Sequence, residues 1–128
     1  MDDYILVSDE NNISIISLTQ ENIEENDDIP RKLERIYSKL PNESIILDLS
    51  LLSNDITDID IFEEFIIQAQ EDNISLSVVV NDFKLHEKLI AKFSDLVINT
   101  NVDEAKDYLI MDAIERDIHN LSNEDSEN

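Results

Sequence analysis

Ser44-Ile45-Ile46-Leu47-Asp48-Leu49 is the stretch that decides the fold. Its apolar residues follow one another without the alternation of a half-solvated strand, which is the pattern of a strand covered on both faces. Such a strand belongs to a sheet flanked by helices, and the neighbouring sequence fits. Upstream, Pro30 suits the first turn of a helix. Leu33, Ile36, Tyr37 and Leu40 then recur at helical spacing until Pro41 stops the pattern. Downstream, Ser50–Asp58 reads as a connector in which Leu51, Leu52 and Ile56 are expected to bury. Phe62, Phe65, Ile66 and Ala69 define an amphipathic helix of about residues 59–72. Asp58 and Asp60 lie at its start, where the helix dipole favours carboxylates.

Further outward the alternation continues. Residues 4–7 and 13–18 are β-rich and flank Ser8-Asp9-Glu10-Asn11-Asn12, a hairpin in which the Asn pair supplies the positive φ that glycine would normally take. Residues 19–28 are a polar, acidic loop. Ile74–Val80 is a strand, and Asp82 can cap a helix carrying Leu85, Leu89 and Phe93. Leu96-Val97-Ile98 is a short strand. Asn101-Val102-Asp103-Glu104 resembles a capping box with Asn in the Ser/Thr position, and it opens a helix with Val102, Ala105, Leu109 and Ala113 on one face. The order β-β-α-β-α-β-α-β-α implies right-handed crossovers, a largely parallel sheet and one antiparallel edge. The expectation is a single α/β domain over residues 1–117, with a mixed sheet of about five strands and about four helices. Residues 118–128 are expected to be a disordered acidic tail.

Composition narrows the function. The 128 residues include no Gly, no Cys and no Trp. At about 7 % average usage roughly nine glycines would be expected, so phosphate loops, dinucleotide fingerprints and nucleophile elbows are all absent. Without Cys there is no disulfide, thiolate nucleophile or Cys-ligated zinc. Lys+Arg 9 against Asp+Glu 31 gives a net charge of −22, which opposes binding to nucleic acid and to anionic membranes. No stretch approaches the 18 or more apolar residues of a transmembrane helix. The acidic Met1-Asp2-Asp3 start is unlike a signal peptide, so a cytoplasmic protein is expected.

The element order and three local strings together resemble the STAS domain, shared by anti-sigma factor antagonists and the cytosolic tails of sulphate transporters. The strings are the opening hairpin, Ile45-Ile46-Leu47-Asp48-Leu49-Ser50, which is similar to the family's apolar strand ending Asp-Leu-Ser, and Asn99-Thr100-Asn101-Val102-Asp103-Glu104-Ala105, which is similar to its last strand-to-helix junction. The resemblance runs over about residues 4–115. It implies a non-enzymatic interaction module without a cofactor, working in bacterial signalling or partner switching. The implied partner is a kinase-type anti-sigma factor or a transporter subunit. Family members carry a phosphorylatable serine and a glycine after the Asp-Leu-Ser strand. This chain has Ile56-Thr57-Asp58-Ile59-Asp60-Ile61-Phe62 there. An ungapped alignment puts Thr57 at the serine position, and one inserted residue puts Asp58 there. Thr57 is thus a candidate phosphosite and Asp58 a fixed negative charge in its place.

A phosphate or carboxylate at a helix start gains from unpaired N–H groups and changes which partner surface docks. With Asp55, Asp58, Asp60, Glu63 and Glu64 the patch is already acidic and calls for a basic partner. Ser53, Thr57, Asp58, Asp60 and Ile61 are the candidate partner-binding residues. Other readings compete. A degenerate response-regulator receiver would use Asp48 as phosphoacceptor and Asp9 and Glu10 for Mg²⁺, but Ile13–Leu18 is a strand where a receiver needs a helix. An acidic decoy mimicking DNA, or a small carboxylate enzyme with a hard metal, needs carboxylates in a regular array or a converging site. The plainer role for Asp48 is to cap the following loop. Neither His86 nor His119 has ligand or nucleophile spacing around it, and Asp27-Asp28 and Glu63-Glu64 read as solvated faces.

Overall fold

The computed structural model describes residues 5–10, 12–19, 28–40, 44–52 and 59–126, with side chains to residue 118 in the last helix. β3 (Ser44–Asp48) is the middle strand of a five-stranded sheet. On one side lie β2 (Ile13–Ser17) and, at the edge, β1 (Leu6–Glu10). On the other lie β4 (Ser75–Val79) and the short β5 (Val97–Asn99). β2 to β5 are parallel, and β1 pairs antiparallel with β2. The chain thus crosses the sheet in strictly sequential order.

That order places the helices. A right-handed crossover always lands on the same side when the strands advance in one direction. Accordingly α1 (Ile29–Lys39), α2 (Glu63–Glu71) and α3 (Phe83–Lys92) all pack on one face of the sheet. A 3-10 turn over Ile59–Phe62 leads into α2. The helix α4 (Val102–Ser126) follows the last strand and covers the opposite face. The parity of β3 shows both layers. Ile45 and Leu47 join the larger core with Leu33, Phe62, Ile66 and Leu85, while Ile46 faces Ile13, Ile15, Val79, Ala105 and Leu109. Each such buried side chain is worth about 1.5–3 kcal/mol of transfer free energy. The continuous apolar run therefore has the two-sided burial it implies.

Two asparagines serve where glycine usually does. Glu10 pairs with Ile13, and Asn12 in the turn before Ile13 has φ 65°. The pairing of Glu10 with Ile13 draws Ser8, Asp9 and Glu10 into β1 and moves the strand to Leu6–Glu10 from the expected 4–7. Asn73, with φ 58°, ends α2 in the left-handed conformation, and Ile74 N–H donates to the Ala69 carbonyl at 2.9 Å.

The boundary expected at residue 117 falls within the last helix, whose backbone runs through Ser126. No Pro or Gly follows Pro41, so nothing in the sequence interrupts the helix. Its start is capped as the sequence suggests: Asn101 Oδ1 accepts from Glu104 N–H at 2.8 Å. The reciprocal arm lands one residue early, with Glu104 accepting from both the N–H and the hydroxyl of Thr100. These bonds hold the Glu104 carboxyl below its usual range. Lys106 pairs with Glu10 at 3.0 Å. Arg116 donates to the Asn73 carbonyl at 2.8 Å and pairs with Asp112, which accepts from the Ser75 hydroxyl. These contacts tie α4 to β1 and to the start of β4.

Candidate docking surface

Asp48 ends β3 at the carboxyl edge of the parallel strands, where loops rather than helices meet solvent. Its Oδ1 accepts from Ser50 N–H at 3.0 Å and its Oδ2 from Ser17 Oγ at 3.4 Å. Both oxygens are engaged, so Asp48 caps the turn that follows. In that turn Leu52 N–H donates to the Leu49 carbonyl at 3.1 Å. The geometry buries Leu49 and Leu52 and turns Leu51 outward, 62 % exposed. Leu51 was expected to bury, but in a tight turn two successive side chains cannot both face the core.

Ser53, Ile56, Thr57 and Asp58 lie outside the described residues. Asp60 and Ile61 sit on the 3-10 turn entering α2. Ile61 is half-buried against the larger core. Asp60 is bound by Lys92 from the end of α3 at 2.5 Å, and the same ammonium reaches Glu63 at 2.9 Å. The two carboxylates push the Lys92 pKa up. Part of the acidic patch at this helix start is therefore neutralised within the fold, by a residue 32 positions away.

One side chain escaped the sequence reading. Phe83 is 74 % exposed. It is the first residue of α3, directly after Asp82, whose Oδ1 accepts from Lys84 and Leu85 N–H at 2.9 and 3.1 Å. Its position opposite Leu85 and Leu89 on the helix was the available signal. Leu51 follows β3 and Phe83 follows β4, so both stand at the carboxyl edge of the sheet on either side of the strands' loops.

On the helical layer, α1 and α2 enclose a cleft of about 210 Å³ lined by Pro30, Glu34, Tyr37, Glu64 and Phe65. Tyr37 and Phe65 meet edge to face at 5.6 Å. The Tyr37 hydroxyl donates to Asp72 at 2.5 Å, and Gln68 donates to the same carboxylate at 3.0 Å. Burial, then the Asp72 bond, push the Tyr37 pKa up to about 12, while the Tyr37 and Gln68 bonds lower that of Asp72.

The receiver geometry is not assembled. Asp9 is opposite Ser14 at the start of β2 and accepts from its hydroxyl at 2.9 Å, whereas Asp48 is opposite Ser17 at the end of β2. Antiparallel pairing of β1 thus separates the acidic pair from Asp48 by the length of a strand, and Glu10 is bound to Lys106. Among the described residues no three His, Asp or Glu side chains converge in a metal-binding arrangement. His86 is half-buried on α3.

Comparison with solved structures superposes the chain on RsbS from Moorella thermoacetica, in a serine-to-glutamate variant. The TM-score is 0.67, with 85 % of this chain and 97 % of that chain covered, at 10 % identity. The fold is STAS-like. No family model matches the sequence, and no curated protein matches it. At this identity the STAS-like likeness is one of architecture, carried by the strand order and the two layers of helices. Among the described residues no helix is long and apolar enough to cross a membrane.

Proposed function

We propose that this STAS-like domain is a non-enzymatic interaction module of the anti-sigma factor antagonist kind, acting in bacterial partner switching in the cytoplasm. The observation that carries the reading is the superposition on RsbS over nearly all of that chain. The partner-binding residues of this reading are Ser53, Thr57, Asp58, Asp60 and Ile61, together with Leu51 and Phe83, which are exposed at the carboxyl end of the parallel strands. Two exposed apolar side chains in an acidic setting favour a partner with a basic rim and an apolar centre. The partner of this reading is a kinase-type anti-sigma factor or a transporter subunit. Thr57 is the candidate phosphosite and Asp58 the fixed charge that replaces the modified state.

The test is affinity capture from the cells of origin with the wild-type chain and with Thr57→Glu, Asp58→Ala and Phe83→Ala. The expected result is a defined partner that Phe83→Ala loses and that at least one of the first two substitutions exchanges or releases. If all three variants retain the wild-type partner set, this edge is not the interaction surface.

A further inference from the structure

We propose that the outward face of α4, built from Ile110, Met111, Ile114 and Ile118, docks a basic amphipathic helix of a partner protein. The helix carries two apolar faces. Val102, Ala105 and Leu109 point to the sheet, where Ala105 and Leu109 are fully buried. Ile110, Ile114 and Ile118 recur at four-residue spacing on the opposite side with Met111 beside them, a row of roughly 12 Å. They are 40, 47, 57 and 57 % exposed for Ile110, Ile114, Ile118 and Met111. Single exposed apolar residues are ordinary, but a contiguous row on one helix marks a contact surface.

The charges around the row select its occupant. Asp103, Asp107, Glu115 and Asp117 border it and are exposed. The described cations of α4 are engaged elsewhere: Lys106 holds Glu10, and Arg116 holds Asp112 and the Asn73 carbonyl. Among the described residues the apolar stripe is thus bordered by exposed carboxylates, and its one neighbouring cation, Lys106, is already held by Glu10. A second copy laid on it would bring like charges together across the seam, between chains each carrying −22. An anionic lipid surface is repelled in the same way. A helix with Leu or Ile at i, i+3, i+4 and i+7 and Lys or Arg on both flanks buries the row and pairs its border. This surface lies on the other layer from the docking edge described above and does not depend on it.

The probe is a synthetic peptide of about 18 residues, long enough for five helical turns, with Leu in the seam and Lys on its flanks. The control is a scrambled peptide of identical composition. Titration of the full chain, followed by anisotropy of a dye on the peptide, is expected to show the patterned peptide binding at least roughly tenfold tighter than the scrambled one. The Ile114→Asp, Ile118→Asp double variant, whose fold is checked by circular dichroism, is expected to lose roughly tenfold in affinity although it gains negative charge. Asp107→Asn with Glu115→Gln is expected to weaken binding and flatten its salt dependence. Equal binding of both peptides, or undiminished binding by the double variant, overturns the proposal, because simple attraction to the −22 chain then accounts for it. Sedimentation showing a wild-type dimer that the double variant dissolves overturns it in favour of a second copy. Co-sedimentation with phosphatidylcholine vesicles that the double variant abolishes does so in favour of lipid.

Discussion

Asn73 holds a φ of 58° in a chain that has no glycine to offer. The left-handed region costs a Cβ-bearing residue about 1–2 kcal/mol, and Asn is among the few residues that visit it routinely. Asn73→Ala is therefore expected to lower the unfolding free energy by about 1 kcal/mol, and Asn73→Gly to keep at least the wild-type value, both measured by urea titration. An alanine variant as stable as the wild type would contradict the positive-φ account. Tyr37 yields a pH prediction. Its hydroxyl is pushed up to about 12 from an ordinary value of about 10. Folding therefore favours the protonated phenol, and this contribution is complete below about pH 10 and lost as pH rises towards 12. Its partner Asp72 is lowered, so that contribution is present at neutral pH and lost on acidification. Urea unfolding from pH 9 upward is expected to show a declining stability that Tyr37→Phe reduces, leaving the slopes from Tyr108, whose pKa is also raised by burial, and from Lys92, raised by Asp60 and Glu63.

At the scale of elements, the helices and strands were legible wherever one period dominated. The apolar run of β3, the proline start of α1 and the Asp82 cap of α3 are local signals with local causes. The reading failed where the deciding contact is distant in sequence or the period is double. The Asp60–Lys92 pair spans 32 residues, so nothing near Asp60 announces that its charge is already met. In α4 the inward and outward apolar rows lie on opposite sides, so the helix shows no single apolar stripe. The two rows make different predictions. Leu109→Ala removes a fully buried side chain and is expected to cost about 2–5 kcal/mol. Ile114→Ala, on the exposed row, is expected to stay within about 0.5 kcal/mol. Chemical denaturation of both variants checks the pair, and a large cost at Ile114 would mean that the outward row packs within the monomer.

For the molecule as a whole, sequential strand order and the −22 charge were both readable from the chain, and together they govern how the fold responds to salt. The described ion pairs are exposed or half-exposed, among them Arg31 with Asp28, Lys92 with Asp60 and Glu63, and Lys106 with Glu10. Pairs of this kind contribute about 0–1 kcal/mol each, and salt weakens them. Against them stand 31 acidic residues with only 9 basic ones to offset them, whose mutual repulsion destabilises the compact state. Added salt shortens the Debye length from about 30 Å at 0.01 M to about 3 Å at 1 M. It therefore screens the many long-range repulsions more completely than the few short attractions. The midpoint of thermal unfolding is expected to rise between 0.01 and 0.5 M NaCl. A gain of about 1–2 kcal/mol corresponds to several degrees for a domain of this size. Differential scanning calorimetry at a series of salt concentrations measures it directly. A falling midpoint would show that the pairs anchoring α3 and α4 outweigh the repulsion. The acidic surface would then be part of what holds the sheet's two layers together rather than a load on the fold.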